Sequence, residues 1–179
     1  MGLLSIEHNK VVYFGDWAAY AIGVALVASW LAIGAPPSRH LALGVALLLG
    51  LLAWSPVEYG VHRFVLHGVE PFRSWHAVHH QRPRALIGAP TLLTMPAFFA
   101  LVFLPLWWLS DVWLASAFTV GLVAGYLVYA IVHHAAHHWH PATPGMQRRK
   151  RTHALHHSDQ GGRGRYGVTS ALWDRLWRT

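Results

Sequence analysis

Apolar residues gather into four long runs separated by short polar breaks. The first extends from about 17 to 35 and stops at Pro36-Pro37. The second covers about 41 to 61, passing Pro56 and Glu58. The third covers about 86 to 109 and carries Pro90, Pro96 and Pro105; the fourth covers about 112 to 132. Each is near the roughly 20 residues with which an α-helix crosses the hydrocarbon core of a bilayer. The pattern predicts four transmembrane helices, kinked at the prolines of the second and third, since membrane helices tolerate proline where neighbours satisfy the freed carbonyls. Short turns after the first and third runs pair the helices as two hairpins, one per half. At the far end, TSALWDRLWRT reads as a short amphipathic helix. Leu172, Trp173, Leu176 and Trp177 share one face and Asp174, Arg175 and Arg178 the other, which suits a membrane interface or a cap on the protein's own core.

Composition strengthens the membrane reading. The chain is 54% hydrophobic and only 12% charged, with 10 tryptophans, outside the range of ordinary soluble domains. It has no cysteine, which excludes disulfides, thiolate nucleophiles and Cys-ligated clusters. The net charge of +7 raises nucleic acid as a partner, but the basic residues sit beside tryptophans and apolar runs, so an anionic lipid surface fits better. Of the 14 Lys and Arg, only Arg39 lies in a hairpin turn. That asymmetry predicts both termini in the cytoplasm. The opening MGLLSIEHNK lacks the pattern of a cleaved signal peptide. The expectation is one membrane domain over 1–179, all-α, with a cytoplasmic cap formed by about 62–85 and 133–179.

Histidine supplies the chemistry. HAVHH at 76–80 and HALHH at 153–157 repeat the form H-x-x-H-H, of which chance placement of 15 histidines predicts roughly 0.1 copies. HRFVLH adds His62 and His67, and HHAAHH adds a pair with spacing four, His133/His137 or His134/His138. Spacings of three and four put side chains on one helix face, so each pentad offers three convergent imidazoles (His76, His79, His80; His153, His156, His157). The spacing of His62 and His67 is poorer, about 140° around an ideal helix. Those two either ligate different metals or sit where the helix ends. Ten donors exceed the four to six of one ion, so two metals are expected, each half of the chain contributing five ligands. A structural zinc site would need only four. Glu58, four residues before His62, and Asp159, two after His157, are candidates to orient imidazoles through their N–H groups. The alternatives are an ion pair of Glu58 with Arg63 or Arg82, and a turn-initiating role for Asp159.

At this point the sequence resembles a known family. HRFVLH, HAVHH, HHAAH and HALHH are similar to the four histidine boxes of the membrane fatty acid hydroxylase/sterol desaturase superfamily, over roughly residues 54 to 179. GYLVYAIVHHAAHH and RYGVTSALWDRLW look most like the fatty acid 2-hydroxylases. The chain departs from them at Tyr129-Ala130, where they commonly have an aspartate after the tyrosine, and at His134, where they have a tyrosine. The resemblance implies a dimetal site, iron when active and open to zinc on isolation, that uses dioxygen and reductant to break an unactivated C–H bond. It favours His133 and His137 as ligands, leaving His134 and His138 for second positions around the metals or at the interface. Tyr126 and Tyr129 would line the substrate path or hydrogen-bond near the metals. No haem-binding electron donor is expected within 179 residues. A separate donor is therefore implied, with QRRKR at 147–151 facing lipid headgroups or docking that donor.

The expected activity is oxygen-dependent hydroxylation of a membrane lipid, a fatty acyl chain first, at its 2-position. Oxidation or desaturation of a sterol or carotenoid within the same superfamily is the near alternative. A histidine-rich metal transporter or a bis-histidine haem carrier is the alternative from another class. Either would want polar or ligating residues near the bilayer midplane, where these runs hold Ala, Leu, Val and Gly.

Overall fold

The computed structural model describes residues 6–158 and 164–179. Among them the chain is helical, and its one isolated backbone bridge joins Glu7 to Ile87. Helix α1 (Lys10–Gly34) is capped by Asn9, whose side chain accepts from Val12 N at 2.9 Å. It starts earlier than the apolar run because hydropathy marks a lipid crossing, whereas a cap marks a helix end. Lys10 and Asp16 interrupt the first without breaking the second. A single 3-10 turn (Pro37–Arg39) leads into α2 (His40–Gly60), with Pro56 inside it. This helix does not stop at Gly60: it widens into a π-helical turn over Val61–Leu66. Helix α3 is Phe72–Gln81.

The third run begins at Thr91 rather than near 86, with Pro90 in extended conformation at its N-cap. It comprises α4 (Thr91–Phe98), a π-helical stretch (Phe99–Phe103) and α5 (Leu104–Leu109). Pro96 and Pro105 donate no amide hydrogen, and between them the ladder widens so that Leu104 N reaches Phe99 O. Helix α6 (Val112–His138) starts on Asp111, which accepts from Trp113 N at 2.8 Å and Leu114 N at 3.1 Å. It runs past residue 132 without a break and carries all of HHAAHH. Thr143 caps α7 (Pro144–His156), and α8 (Leu172–Trp177) follows. Among the described residues four stretches are long and apolar enough to cross a membrane: Lys10–Gly34, Pro37–Leu66, Thr91–Leu109 and Val112–His138.

The chain divides into two compact units. The first joins the segment ending at Trp54 to Leu86–Leu127. Here α2 and α6 approach until backbone meets backbone. A Cβ on Gly50 would strike the Phe118 carbonyl, and one on Gly121 would strike the Leu47 carbonyl. Small residues permit that approach in lipid, where association depends on close packing rather than on the hydrophobic effect. Leu31, Ala35, Leu43 and Ala117 form a buried cluster, and Trp30 stacks on Trp113 with ring centroids 4.4 Å apart. The hairpin turns are joined by an ion pair between Arg39 and Asp111. Ile22, Leu26, Ile33, Leu101 and Trp108 stay exposed, as helices facing hydrocarbon require.

The second unit comprises Ser55–Ala85 and Val128–Thr179. Its α8 keeps Leu172, Leu176 and Trp177 exposed, in line with an amphipathic helix. Asp174, expected on the opposite polar face, is instead buried at 6% exposure, and Trp173 donates its indole N–H to Ser55 Oγ at 3.1 Å. A six-residue helix is too short for its faces to be set by amphipathicity alone; the burial of Asp174 and the Trp173 hydrogen bond set them.

Candidate metal centre

The first histidine pair is placed by the π-turn. His67 N bonds to His62 O at 3.2 Å, an i→i+5 contact, and the two rings come within 5.1 Å of each other. Five residues make one wide turn here. The divergence expected of an α-helix is closed, and both rings face one point, although His67 does stand at the helix end.

The ten histidines then sort into two groups of five. His62, His67, His76, His80 and His156 make one; His79, His133, His137, His153 and His157 make the other. In each, one ring nitrogen per residue lies within 4.8 Å of all the others. The two H-x-x-H-H pentads do not each converge, contrary to the pattern read from spacing. Neighbouring residues on a helix point about 100° apart, whereas i and i+4 differ by about 40°. So His76 and His80 stay together on α3 while His79 turns away to the second group. On α7, His153 pairs with His157, and His156 turns to the first. The groups adjoin where the swap occurs: His80 stacks on His157 at 4.1 Å.

The distances fit cations. His62 Nε2 is 3.0 Å and His80 Nε2 is 3.1 Å from His76 Nε2, and His67 Nε2 is 3.1 Å from His156 Nε2. In the second group His137 Nε2 lies 3.3 Å from His133 Nε2 and 2.8 Å from His153 Nε2. Two nitrogens bound at 2.0–2.1 Å to one ion are about 2.9 Å apart at a right angle and about 3.3 Å apart at a tetrahedral angle. His76 Nε2 and His137 Nε2 each face two other nitrogens, which a single proton cannot satisfy. Both ring nitrogens of His79, and Nδ1 of His153, are buried with no hydrogen-bond partner. Leaving such groups unmet costs about 1–3 kcal/mol each. The two groups could therefore each hold a metal ion, and the donor set is all imidazole.

Burial keeps these rings neutral. Loss of solvent, followed by the neighbouring imidazoles, pushes His67 down to about 4 and both His80 and His157 down to about 3. The same causes lower His79 to about 2 and hold His76 and His153 far below the ordinary value. At neutral pH each therefore presents a lone pair.

The other candidate residues scatter. The Glu58 carboxylate is buried, but it meets the tail: it accepts from Val168 N at 2.6 Å, Thr169 N at 2.8 Å and Thr169 Oγ1 at 2.5 Å. Arg63, one of its expected partners, donates to Tyr59 OH at 2.7 Å. Tyr129 stacks on His133 with ring centroids 5.6 Å apart. Tyr126 belongs to the first unit, against Tyr20, Trp54 and Phe98. His134 and His138 stack on each other at 4.2 Å and enter neither group. Asp159 lies outside the described residues.

Sequence reasoning missed the tail's part in this site. The Tyr166 carbonyl accepts from His62 Nδ1 at 2.6 Å, and the Gly164 carbonyl accepts from His156 Nδ1 at 2.8 Å. Asp174 accepts from Tyr166 N at 2.8 Å and from Gly167 N at 3.0 Å. The available signal was RYGVTSALWD itself, a glycine-bearing stretch ending in an acid just beyond the last pentad.

Comparison with known proteins points to a family. The family model for fatty acid hydroxylase matches residues 47–179. A dihydroceramide fatty acyl 2-hydroxylase of Arabidopsis thaliana, FAH2, is 31% identical over 176 residues, covering 91% of this chain and 72% of that protein. The ceramide very long chain fatty acid hydroxylase SCS7 of Saccharomyces cerevisiae is 33% identical over 152 residues, and the fatty acid 2-hydroxylase of Homo sapiens 26% over 143. The matches cover 73% and 74% of this chain but only 36% and 38% of those longer proteins. A solved structure described as "Full length scs7p (only hydroxylase domain visible)" superposes with a TM-score of 0.75 over 91% of this chain and 66% of that one, at 23% identity, and so shares the fold.

Proposed function

The chain belongs to the fatty acid hydroxylase family, and from that premise we propose that it is an integral membrane oxygenase that hydroxylates carbon 2 of a fatty acyl chain. The observation that carries the reading is the sorting of ten imidazoles, five buried and five half-buried, into two adjoining groups of five. The relatives named above act on fatty acyl groups, two of them on dihydroceramide or ceramide by name. A long acyl chain, reaching the site from the bilayer, is the substrate class proposed here.

The reaction balances as R–CH2–C(=O)X plus dioxygen, two electrons and two protons, giving R–CHOH–C(=O)X plus water. His62, His67, His76, His80 and His156 would hold one metal, and His79, His133, His137, His153 and His157 the other. Iron, when bound, supplies the activation of dioxygen that an unactivated C–H bond requires; zinc would occupy the same donors without redox chemistry. The chain's own contribution is positional. Neutral imidazoles leave the ions their full positive charge, and burial excludes the water that would compete with substrate. Tyr129 buttresses His133 and is placed to meet an acyl chain beside it. Electrons come from a separate donor, for which the basic α7 is the proposed docking face. The lysine and arginine distribution supports a cytoplasmic placement of the termini and the histidine groups.

The test is product identity. The purified chain, supplied with iron, a reductant and a long-chain acyl lipid under oxygen-18 gas, is expected to yield a 2-hydroxy product with one heavy oxygen in the hydroxyl. A product hydroxylated elsewhere, desaturated, or free of label defeats the proposal.

A further inference from the structure

The two histidine groups are held unequally. In the first, His62 and His156 each donate Nδ1–H to a backbone carbonyl of the tail, that of Tyr166 and that of Gly164. Such a bond fixes the tautomer, leaves Nε2 as the free donor and aims the ring. In the second group, Nδ1 of His79 and of His153 meets no such acceptor among the described residues, and the backbone partner of His157 is His80 on α3 rather than the tail.

The tail carbonyls are themselves placed by two buried carboxylates. Between Gly164 and Tyr166, Arg165 takes a left-handed φ of 62°, a conformation that side-chain-bearing residues seldom hold without outside support. Asp174 grips the next two amides, those of Tyr166 and Gly167. At Gly167 a Cβ would fall 2.0 Å from the Ser170 carbonyl oxygen and 2.9 Å from the Asp174 carboxylate, so only glycine fits there. Glu58, on the helical stretch that carries His62, takes the two amides after that, of Val168 and Thr169, together with the Thr169 hydroxyl. Four consecutive backbone amides are thus bound by two carboxylates, and among the described residues the tail's hydrogen bonds to histidine go to His62 and His156, both of the first group.

We infer that Glu58 and Asp174 are positioning residues for one metal site alone, acting through the tail carbonyls of Tyr166 and Gly164 on His62 and His156. The inference rests on the proposal that the two groups bind metals, and it adds that their occupancies are separable.

The experiment uses the full chain in detergent, stripped by a chelator and dialysed against a series of zinc concentrations, with bound zinc per chain measured by atomic emission. The natural sequence takes up two equivalents. Glu58→Gln and Asp174→Asn keep the side-chain shape but remove the charge. Each should leave one equivalent at its original affinity and weaken the other by about 10- to 100-fold, the usual cost of losing a ligand's outer partner. Adding His67→Ala to Glu58→Gln should cost no further tight site, whereas adding His137→Ala should leave none. Thr169→Val, which removes one of the contacts to Glu58, should give a smaller weakening of the same site and carries the test if the carboxylate variants fail to fold. Unchanged affinity at both sites, or equal weakening of both, overturns the inference. A natural chain that takes up no zinc defeats the underlying metal reading instead.

Discussion

His79 lies with its ring 4.8 Å from that of His157, in the company of the second half of the chain rather than with its own neighbour His80, 6.1 Å away. The crossing is reciprocal, since His156 sits 4.8 Å from His80. Each group of five is therefore closed by one residue from the opposite pentad, and neither half of the chain completes a group alone.

The crossing predicts which losses combine. His79→Ala and His137→Ala remove donors from the same group, so each should lower metal content from two to about one per chain, and the double variant should still hold about one. Pairing His79→Ala with His67→Ala should leave about none. Metal analysis of the four purified variants checks the pattern. Additive loss in the first pair would assign those residues to different ions.

Much of this was legible in the sequence, and the rest was hidden for identifiable reasons. The four apolar runs and the ten histidines could be read because they depend on side-chain type and spacing. The fold relation of His62 to His67 could not, because spacing was interpreted on an α-helix and the backbone there is a π-turn. The convergence of each pentad was overstated for a simpler reason: adjacent His79 and His80 cannot face the same point, as the helical period alone implies. Asp174 was misplaced on a solvent face because its partners are backbone amides, which leave no mark in composition.

Acid should destabilise the metal-free protein. His67, His80 and His157 have pKa values lowered by burial to about 4, 3 and 3, against an ordinary value of about 6.5. Between those limits the unfolded chain binds more protons than the folded one, so stability rises with pH and is lost as pH falls from about 6.5 toward 4. Each proton taken up on unfolding is worth about 1.4 kcal/mol per pH unit. The thermal midpoint of the chelator-treated protein in detergent should drop between pH 7 and pH 5. A midpoint that is flat or higher at pH 5 contradicts the burial of these rings.

The helix contact at Gly121 should tolerate no side chain. Gly121→Ala places a methyl group on the Leu47 carbonyl, and overpacking of this kind costs about 1–3 kcal/mol. At about 2–4 °C per kcal/mol for a chain this long, the midpoint should fall by several degrees. An unchanged midpoint would mean that α2 and α6 are not in backbone contact.

The exposed face of α8 should sit in lipid. The chain has no cysteine, so Leu176→Cys provides a unique site for a nitroxide label. Reconstituted in bilayers, the label should be relaxed more by oxygen than by a water-soluble nickel chelate. The reverse preference would place Leu172, Leu176 and Trp177 in water and end the interfacial reading.

The most direct test of the whole account is X-ray absorption at the iron edge of the anaerobically loaded protein. Two irons per chain, each with a shell of about five nitrogens near 2.0–2.2 Å and the multiple-scattering signature of imidazole, is the predicted result. One iron per chain, or a first shell dominated by carboxylate oxygen, would contradict it.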